Sequence, residues 1–176
     1  MLSLGVRAHD FGKLEASALA TRIAGKGLTC IQLALAKAID GINSDTGAQS
    51  PGLAAGLRGQ FADKGVRIAV LGCYVNIVHP DLDERSRLLT RFKEHLRFAR
   101  DFGCSVVATE TASLNADWSW HPGNTSEHAF TEVVKSVAEL AAYAERFGVF
   151  VAIEGVAHHV ISDPRRLRRL LDTVNS

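Results

Sequence analysis

The chain has 176 residues, of which 47% are hydrophobic and 22% charged, and its formal net charge is +1. This composition is typical of one soluble globular domain, and the near-neutral charge indicates neither a nucleic-acid nor a membrane partner. No apolar run approaches the roughly 18 residues of a membrane span, and no signal-peptide pattern opens the chain. Cys30, Cys73 and Cys104 are an odd number without close spacing, unlike a disulfide framework. We therefore expect a cytoplasmic protein.

One pattern recurs along the chain: a helical stretch ends at a glycine, and an apolar strand follows at once. It appears in residues 25–33, 63–71, 101–109 and 146–154, and a further strand over residues 2–8 opens the chain. The glycines of these segments suit the left-handed position that ends a helix; they are Gly27, Gly65, Gly103 and Gly148. The repeat predicts five parallel strands, each followed by helical sequence.

Apolar residues at helical spacing predict amphipathic helices over residues 83–102 and 126–147. Asp163 followed by Pro164 marks the start of a last helix, and the basic run Arg165–Arg169 continues it as a solvated face. Residues 37–52 are rich in Gly, Ser, Asn and Asp, which predicts a long loop leading into a helix at about residues 51–63.

Polar residues collect where the predicted strands end. The apolar run of residues 149–153 ends in Glu154, at the edge of a parallel sheet where β/α proteins carry their chemistry. Glu154 is therefore a candidate for metal binding or proton transfer, and the alternative is an ordinary loop glutamate. Five of the seven histidines follow strands; they are His9, His79, His121, His158 and His159. Carboxylates and imidazoles together are what a divalent metal needs, whereas any one of them alone fits a solvated loop.

The loop after the fourth strand carries both tryptophans, Trp118 and Trp120. Two interpretations stay open at this point: a wall that stacks on a sugar, or a loop packed down by its own aromatic rings. The sequence contains no Walker loop, GxGxxG, GxSxG or HExxH motif.

Four segments carry a family resemblance: LGVRAHDFG, LGCYVNIVHPD, VVATETAS and VAIEGVAHHVISDP. They resemble the sugar phosphate isomerase/epimerase family, which has the xylose isomerase-like TIM barrel shared more distantly with endonuclease IV. The resemblance covers essentially the whole chain and implies a (β/α)8 barrel. Residues 1–176 then look like the N-terminal part of a single barrel domain, an open α/β array of about five parallel βα units.

The resemblance also implies a metal site. Family members bind a divalent metal, often Mn, Mg or Co, through a Glu ending strand five and through an Asp, a His and a Glu on strands six to eight. Glu154 matches the first, and the other three would lie beyond Ser176, so we expect metal binding to be weak or absent here. Endonuclease IV has zinc-binding histidines on strands three and four, where this chain has Leu71 and Glu110, which argues against DNA-repair chemistry.

The implied reaction is metal-assisted proton transfer next to the carbonyl of a small sugar or sugar phosphate. Glu154 would bind the metal and move the proton. The residues expected to contact substrate are His9, Asn76, His79, Glu110, Trp118, His158 and His159. We expect this chain alone to lack part of the active site and to be inactive. The alternative is a non-catalytic truncated barrel acting as a binding or self-associating module, and its open sheet edges predict a homo-oligomer.

Overall fold

The computed structural model describes residues 3–176, so Leu2, at the start of the first predicted strand, lies outside the described residues. Five strands and six helices alternate along this part of the chain. They are β1 (Gly5–Arg7), α1 (Ala16–Ala24), β2 (Cys30–Leu33), α2 (Leu35–Ala38), α3 (Pro51–Ala62), β3 (Arg67–Gly72), α4 (Leu82–Phe98), β4 (Val106–Glu110), α5 (Glu127–Glu145), β5 (Phe150–Glu154) and α6 (Pro164–Val174).

The strands form one sheet in the order β1-β2-β3-β4-β5, which is the order of the chain. Strand β2 runs parallel to both β1 and β3, with Cys30 opposite Gly5 on one side and opposite Arg67 on the other. Parallel neighbours need a crossover connection, and helices lie between all consecutive strands. The prediction of a partial TIM barrel with five parallel strands is confirmed.

Four glycines end helices as the sequence predicts. Gly27, Gly65, Gly103 and Gly148 have φ angles of 73°, 72°, 74° and 59°, in the left-handed region that a residue with a Cβ enters only at a cost. Each donates its backbone N–H to a carbonyl three residues earlier, which closes the turn before the next strand.

The helix starts also follow local sequence. Ser50 accepts a hydrogen bond from the backbone N–H of Leu53, and Asp163 caps α6 in the same way ahead of Pro164. Several boundaries differ from prediction. Strand β1 is shorter than predicted, because a 3-10 turn over Ala8–Phe11 follows it directly. Helix α4 ends at Phe98 because the following residues form the turn to Gly103, and the short helix α2 overlaps the start of the predicted 37–52 loop.

The chain divides into two compact units. Unit 1 consists of Met1–Cys73 and Glu94–Val107, and unit 2 of Tyr74–Lys93 and Ala108–Ser176. In unit 1, α1 packs against α3, and fully buried side chains include Ile23, Ile31 and Phe61. In unit 2, α5 packs against β5 and α6, and Val133, Leu140 and Ile161 are buried. No helix within residues 3–176 has the length and apolar character to cross a bilayer.

Candidate functional site

Glu154, the last residue of β5, is held by a tyrosine in the same unit. The Tyr74 hydroxyl donates a hydrogen bond to Glu154 Oε1 at 3.1 Å, and both side chains are half-buried. Tyr74 follows β3 by two residues, so the two groups come from the carboxyl ends of two strands. Nothing in the sequence indicated that Tyr74 would meet Glu154, since the two residues are 80 positions apart. The hydrogen bond orients the carboxylate, because it engages one of its two oxygens.

A second pair joins the end of β4 to the segment after β5. His159 Nδ1 lies 3.6 Å from Glu110 Oε2, slightly too far for a hydrogen bond. The His159 side chain is almost completely buried, and its Nδ1 has no hydrogen-bond partner among residues 3–176. Burial, aided by the neighbouring His158, lowers the His159 pKa to about 4. His159 is therefore neutral at pH 7, with one ring nitrogen able to donate and the other able to accept.

Two more rings complete a cluster around His159. The Trp118 ring meets the His159 ring edge-on at a centroid distance of 5.6 Å, and the His158 ring does so at 4.5 Å. Trp118 has a φ of 68°, an uncommon value for a bulky residue. We call Glu110, Trp118, His158 and His159 the loop cluster. Trp118 packs inside it, while Trp120 is 61% exposed, so the two rings of this loop have different environments.

The loops that carry the cluster are braced against each other by hydrogen bonds. Residues 111–126 and 155–163, which we call the carboxyl-end loops, follow β4 and β5. The backbone N–H of Val160 donates to the Ala112 carbonyl at 3.0 Å, and that of Ile161 donates to Thr111 Oγ1 at 3.1 Å. Asn124 Nδ2 donates to the His158 carbonyl at 2.9 Å. These bonds hold the cluster in one arrangement before any ligand arrives.

The basic run of α6 contributes to this bracing. Arg166 donates to the carbonyls of Val160 and Thr125, both at 3.0 Å. Arg169 pairs with Glu127 and lies over the Phe130 ring at 4.1 Å. Two of the arginines therefore make intramolecular contacts instead of forming an open basic surface.

Asn76 and His79, two predicted substrate contacts in the segment after β3, form hydrogen bonds with backbone groups. Asn76 is 1% exposed and donates to the carbonyls of Ser113 and Asn115 at 2.9 and 3.1 Å. His79 Nδ1 accepts from the Asp81 backbone N–H at 3.2 Å. Both therefore stabilise the loops, and their contact with substrate stays a prediction.

His9 and His121 lie outside the cluster. His9 belongs to unit 1, in a turn after β1, and burial lowers its pKa. His121 accepts a hydrogen bond from the Gly123 backbone N–H and so caps its own turn. The structure thus brings four of the predicted substrate contacts together, and it places Glu154 against Tyr74.

A metal ion needs more ligands than the structure gathers. Within residues 3–176, no group of three or more His, Cys, Asp or Glu side chains is arranged to hold one. Mg²⁺ and Mn²⁺ favour several hard oxygen ligands, which one positioned carboxylate does not supply. The described residues therefore do not by themselves fit a divalent cation.

Comparison with known proteins identifies the family and the fold of this chain. Residues 20–176 match the sequence profile of the family described as xylose isomerase-like TIM barrel. No curated protein matches the sequence.

Three solved structures illustrate the likeness. A xylose isomerase-like TIM barrel protein from Mycobacterium smegmatis, in complex with magnesium, is 18% identical with a TM-score of 0.72 over 99% of this chain and 63% of its own. D-psicose 3-epimerase from Clostridium cellulolyticum H10, with D-tagatose, is 13% identical with a TM-score of 0.75 over 99% of this chain and 60% of its own. The IOLI protein, with a zinc atom, is 16% identical with a TM-score of 0.67 over 98% of this chain and 59% of its own. At these identities the likeness shows the fold, and the chain spans about 60% of each relative.

Proposed function

Because the chain belongs to the xylose isomerase-like TIM barrel family, we propose that it supplies the first five βα units of a sugar isomerase or epimerase site. The observation that carries this proposal is the position of Glu154, a carboxylate at the carboxyl end of β5, fixed by the Tyr74 hydroxyl at 3.1 Å. That edge of a parallel β/α sheet is where barrel enzymes carry their catalytic groups.

The proposed reaction begins with removal of a proton from the carbon next to the carbonyl of a ketose. Glu154 is the base that takes the proton, since a carboxylate is a suitable acceptor when it is held in place. The Tyr74 hydrogen bond restricts its rotation, which aids proton transfer by orientation. A group that returns the proton on the opposite face is not among the residues that we assign.

The loop cluster is proposed to bind the sugar hydroxyls. Glu110 offers acceptors, and the neutral His159 offers one donor and one acceptor. Trp118 adds an aromatic surface beside them. His158 belongs to the cluster through its ring contact with His159. His9, Asn76 and His79 stay proposed contacts with less support, since none of them belongs to the cluster.

For the metal expected from the family, we assign only a ligand. Two relatives are described with magnesium and with zinc. Glu154 is the one ligand that we assign in this chain, and the described residues do not complete a site for Mn, Mg or Co. No step of the proposed chemistry therefore runs through a metal.

The proposal is tested with D-tagatose and the 176-residue chain. Saturation-transfer NMR should detect weak binding of the ketose, and Trp118→Ala and Glu110→Gln should each reduce the signal at least threefold. His128→Gln, an exposed substitution on α5, should leave it unchanged. Because the described residues do not complete a metal site, nothing among them stabilises the charge that proton removal by Glu154 would leave, so in ²H₂O this chain alone should incorporate no deuterium into the sugar. Turnover that is unaffected by Glu154→Gln would contradict the role of this residue, and undiminished binding in both cluster variants would contradict the site.

A second candidate function is self-association, favoured by the exposed side chains of unit 2. Phe150 on β5 is 71% exposed and Leu171 on α6 is 53% exposed, and unpaired apolar strands recruit other chains. Sedimentation velocity should show an oligomer that Phe150→Ser dissociates. Leu82→Ser, at an equally exposed position on α4, is the control. A wild-type chain that stays monomeric at high concentration would exclude this function.

A further inference from the structure

Unit 1 contains a cavity that no part of the proposed function uses. Its volume is about 490 Å³, within the usual range of small-molecule sites. It is lined by the residues that begin β2 and β3 and by the ends of α3 and of the turn after α4, among them Thr29, Arg58, Val66, Arg67, Ile68 and Phe102. These are the amino ends of the strands, whereas the candidate functional site is built at carboxyl ends.

Two arginines of this lining have no acceptor. Within residues 3–176, neither the Arg58 nor the Arg67 guanidinium donates a hydrogen bond or joins an ion pair, although the Arg67 backbone N–H donates to the Thr29 carbonyl. Several other arginines do have a carboxylate partner: Arg85 pairs with Glu132, Arg87 with Glu84 and Arg169 with Glu127. A guanidinium presents a planar set of donors that matches carboxylate and phosphate oxygens. The cavity therefore has two unused anion-binding groups.

The charge of the cavity is uniformly positive. None of the described residues that line it is acidic. Burial raises the pKa of the Cys104 thiol, and the positive charge of Arg67 acts in the opposite direction. Thr29 adds a hydroxyl to the lining.

Apart from Ser3 and Thr29, the rest of the lining is apolar. Val66, Ile68 and Phe102 are buried side chains that contribute to the wall of the cavity. At Gly103, a Cβ would lie 2.7 Å from the Arg58 Cδ atom, so the Arg58 side chain runs directly over this glycine. The Arg58 side chain can take this position because residue 103 has no side chain.

We propose that this cavity binds a small organic anion. Arg58 and Arg67 hold its carboxylate or phosphate group, and its apolar body rests against Val66, Ile68 and Phe102. The site shares no residue with Glu154, Tyr74 or the loop cluster, so it is a binding function separate from the proposed sugar chemistry.

Three probes with the same ring test the proposal: benzoate, phenyl phosphate and the uncharged benzamide. Amide NMR titration of the 176-residue chain should show saturable shifts at Thr29, Gly65 and Gly103 with at least one of the two anions. The anion with the lower Kd identifies the head group. Benzamide should bind at least tenfold more weakly. Equal binding of benzamide, or no saturation by either anion at 20 mM, would overturn the proposal.

Substitutions then locate the binding groups. Arg58→Gln and Arg67→Gln should each raise the Kd of the better anion about tenfold, while Arg22→Gln, on the exposed face of α1, should leave it unchanged. Equal affinity in all three variants would contradict the assignment.

A glycine pair provides a test that leaves both charges in place. Gly103→Ala places a methyl group against Arg58, whereas Gly27→Ala, outside the cavity lining, has the same backbone strain, with φ of 73° against 74°, and no atom within 4 Å of the added group. Only Gly103→Ala should raise the Kd of the better anion, by about threefold or more. Equal effects of the two variants would show that the path of Arg58 does not matter.

Discussion

The carboxyl-end loops and the glycine turns at the amino ends of the strands connect the same helices and strands in opposite ways. Each turn is closed by a glycine with positive φ and by a backbone hydrogen bond within four residues. The carboxyl-end loops are closed by bonds between distant residues, such as Asn124 to His158 and Ile161 to Thr111. The turns are thus encoded locally, and the loops depend on contacts that form only in the folded chain.

This difference separates stability from function in the molecule. A turn needs one permissive residue and then carries no further chemistry. The loops cost more to order, since their backbone is fixed by side-chain partners, and in return they hold Glu110, His159 and Trp118 in one place. The effects of substitutions in the two regions should therefore differ both in size and in kind.

The largest effect is expected from Asn124→Ala. Asn124 is 1% exposed; it donates to the His158 carbonyl and accepts from the Leu114 backbone N–H at 3.0 Å. Its loss leaves buried polar groups without partners, and the free energy of unfolding should fall by about 3 kcal/mol. Urea denaturation measures it. Thr125→Ala, at the exposed neighbour, should change stability by less than about 0.5 kcal/mol. Equal effects would show that the loops are not braced through Asn124.

The next effect is a pH dependence set by His159. Its folded pKa of about 4 lies below the ordinary value of 6.5, so the unfolded chain takes up this proton first. Stability should fall as pH decreases from 6.5 towards 4, by up to about 3 kcal/mol, since one pKa unit is about 1.4 kcal/mol. His159→Gln should flatten this part of the profile, whereas His128→Gln on exposed α5 should keep it. Parallel wild-type and His159→Gln profiles would mean that His159 is not held neutral by burial.

The smallest effect is expected in a turn. Gly27→Ala forces a side chain into φ of 73° without meeting any atom within 4 Å, so it should cost only about 1 kcal/mol. Gly56→Ala, inside α3 and equally free of contacts, should instead stabilise the chain by about 0.5–1 kcal/mol. Thermal unfolding of the two variants compares them. A loss with Gly27→Ala as large as that with Asn124→Ala would remove the distinction between the two regions.

The same distinction explains what the sequence predicts. The glycine repeat and the apolar runs are local signals, and they predicted all five strands of the parallel sheet. Asp163 followed by Pro164 likewise marked the start of the last helix. The position of Glu154 followed from its strand. The contacts of Tyr74, Asn76 and Asn124 could not be predicted, because each joins residues more than thirty positions apart and leaves no periodic pattern.

The most direct test of the account is amide NMR mapping of D-tagatose on the 176-residue chain. The proposed site predicts saturable shifts in residues 110–121, 154–160 and around Tyr74, and none at the turns of Gly27 and Gly65. Glu154→Gln should reduce the shifts near β5 and leave the rest of the spectrum native. Shifts confined to the turns, or a wild-type spectrum that D-tagatose does not change, would contradict a sugar site at the carboxyl ends of β4 and β5.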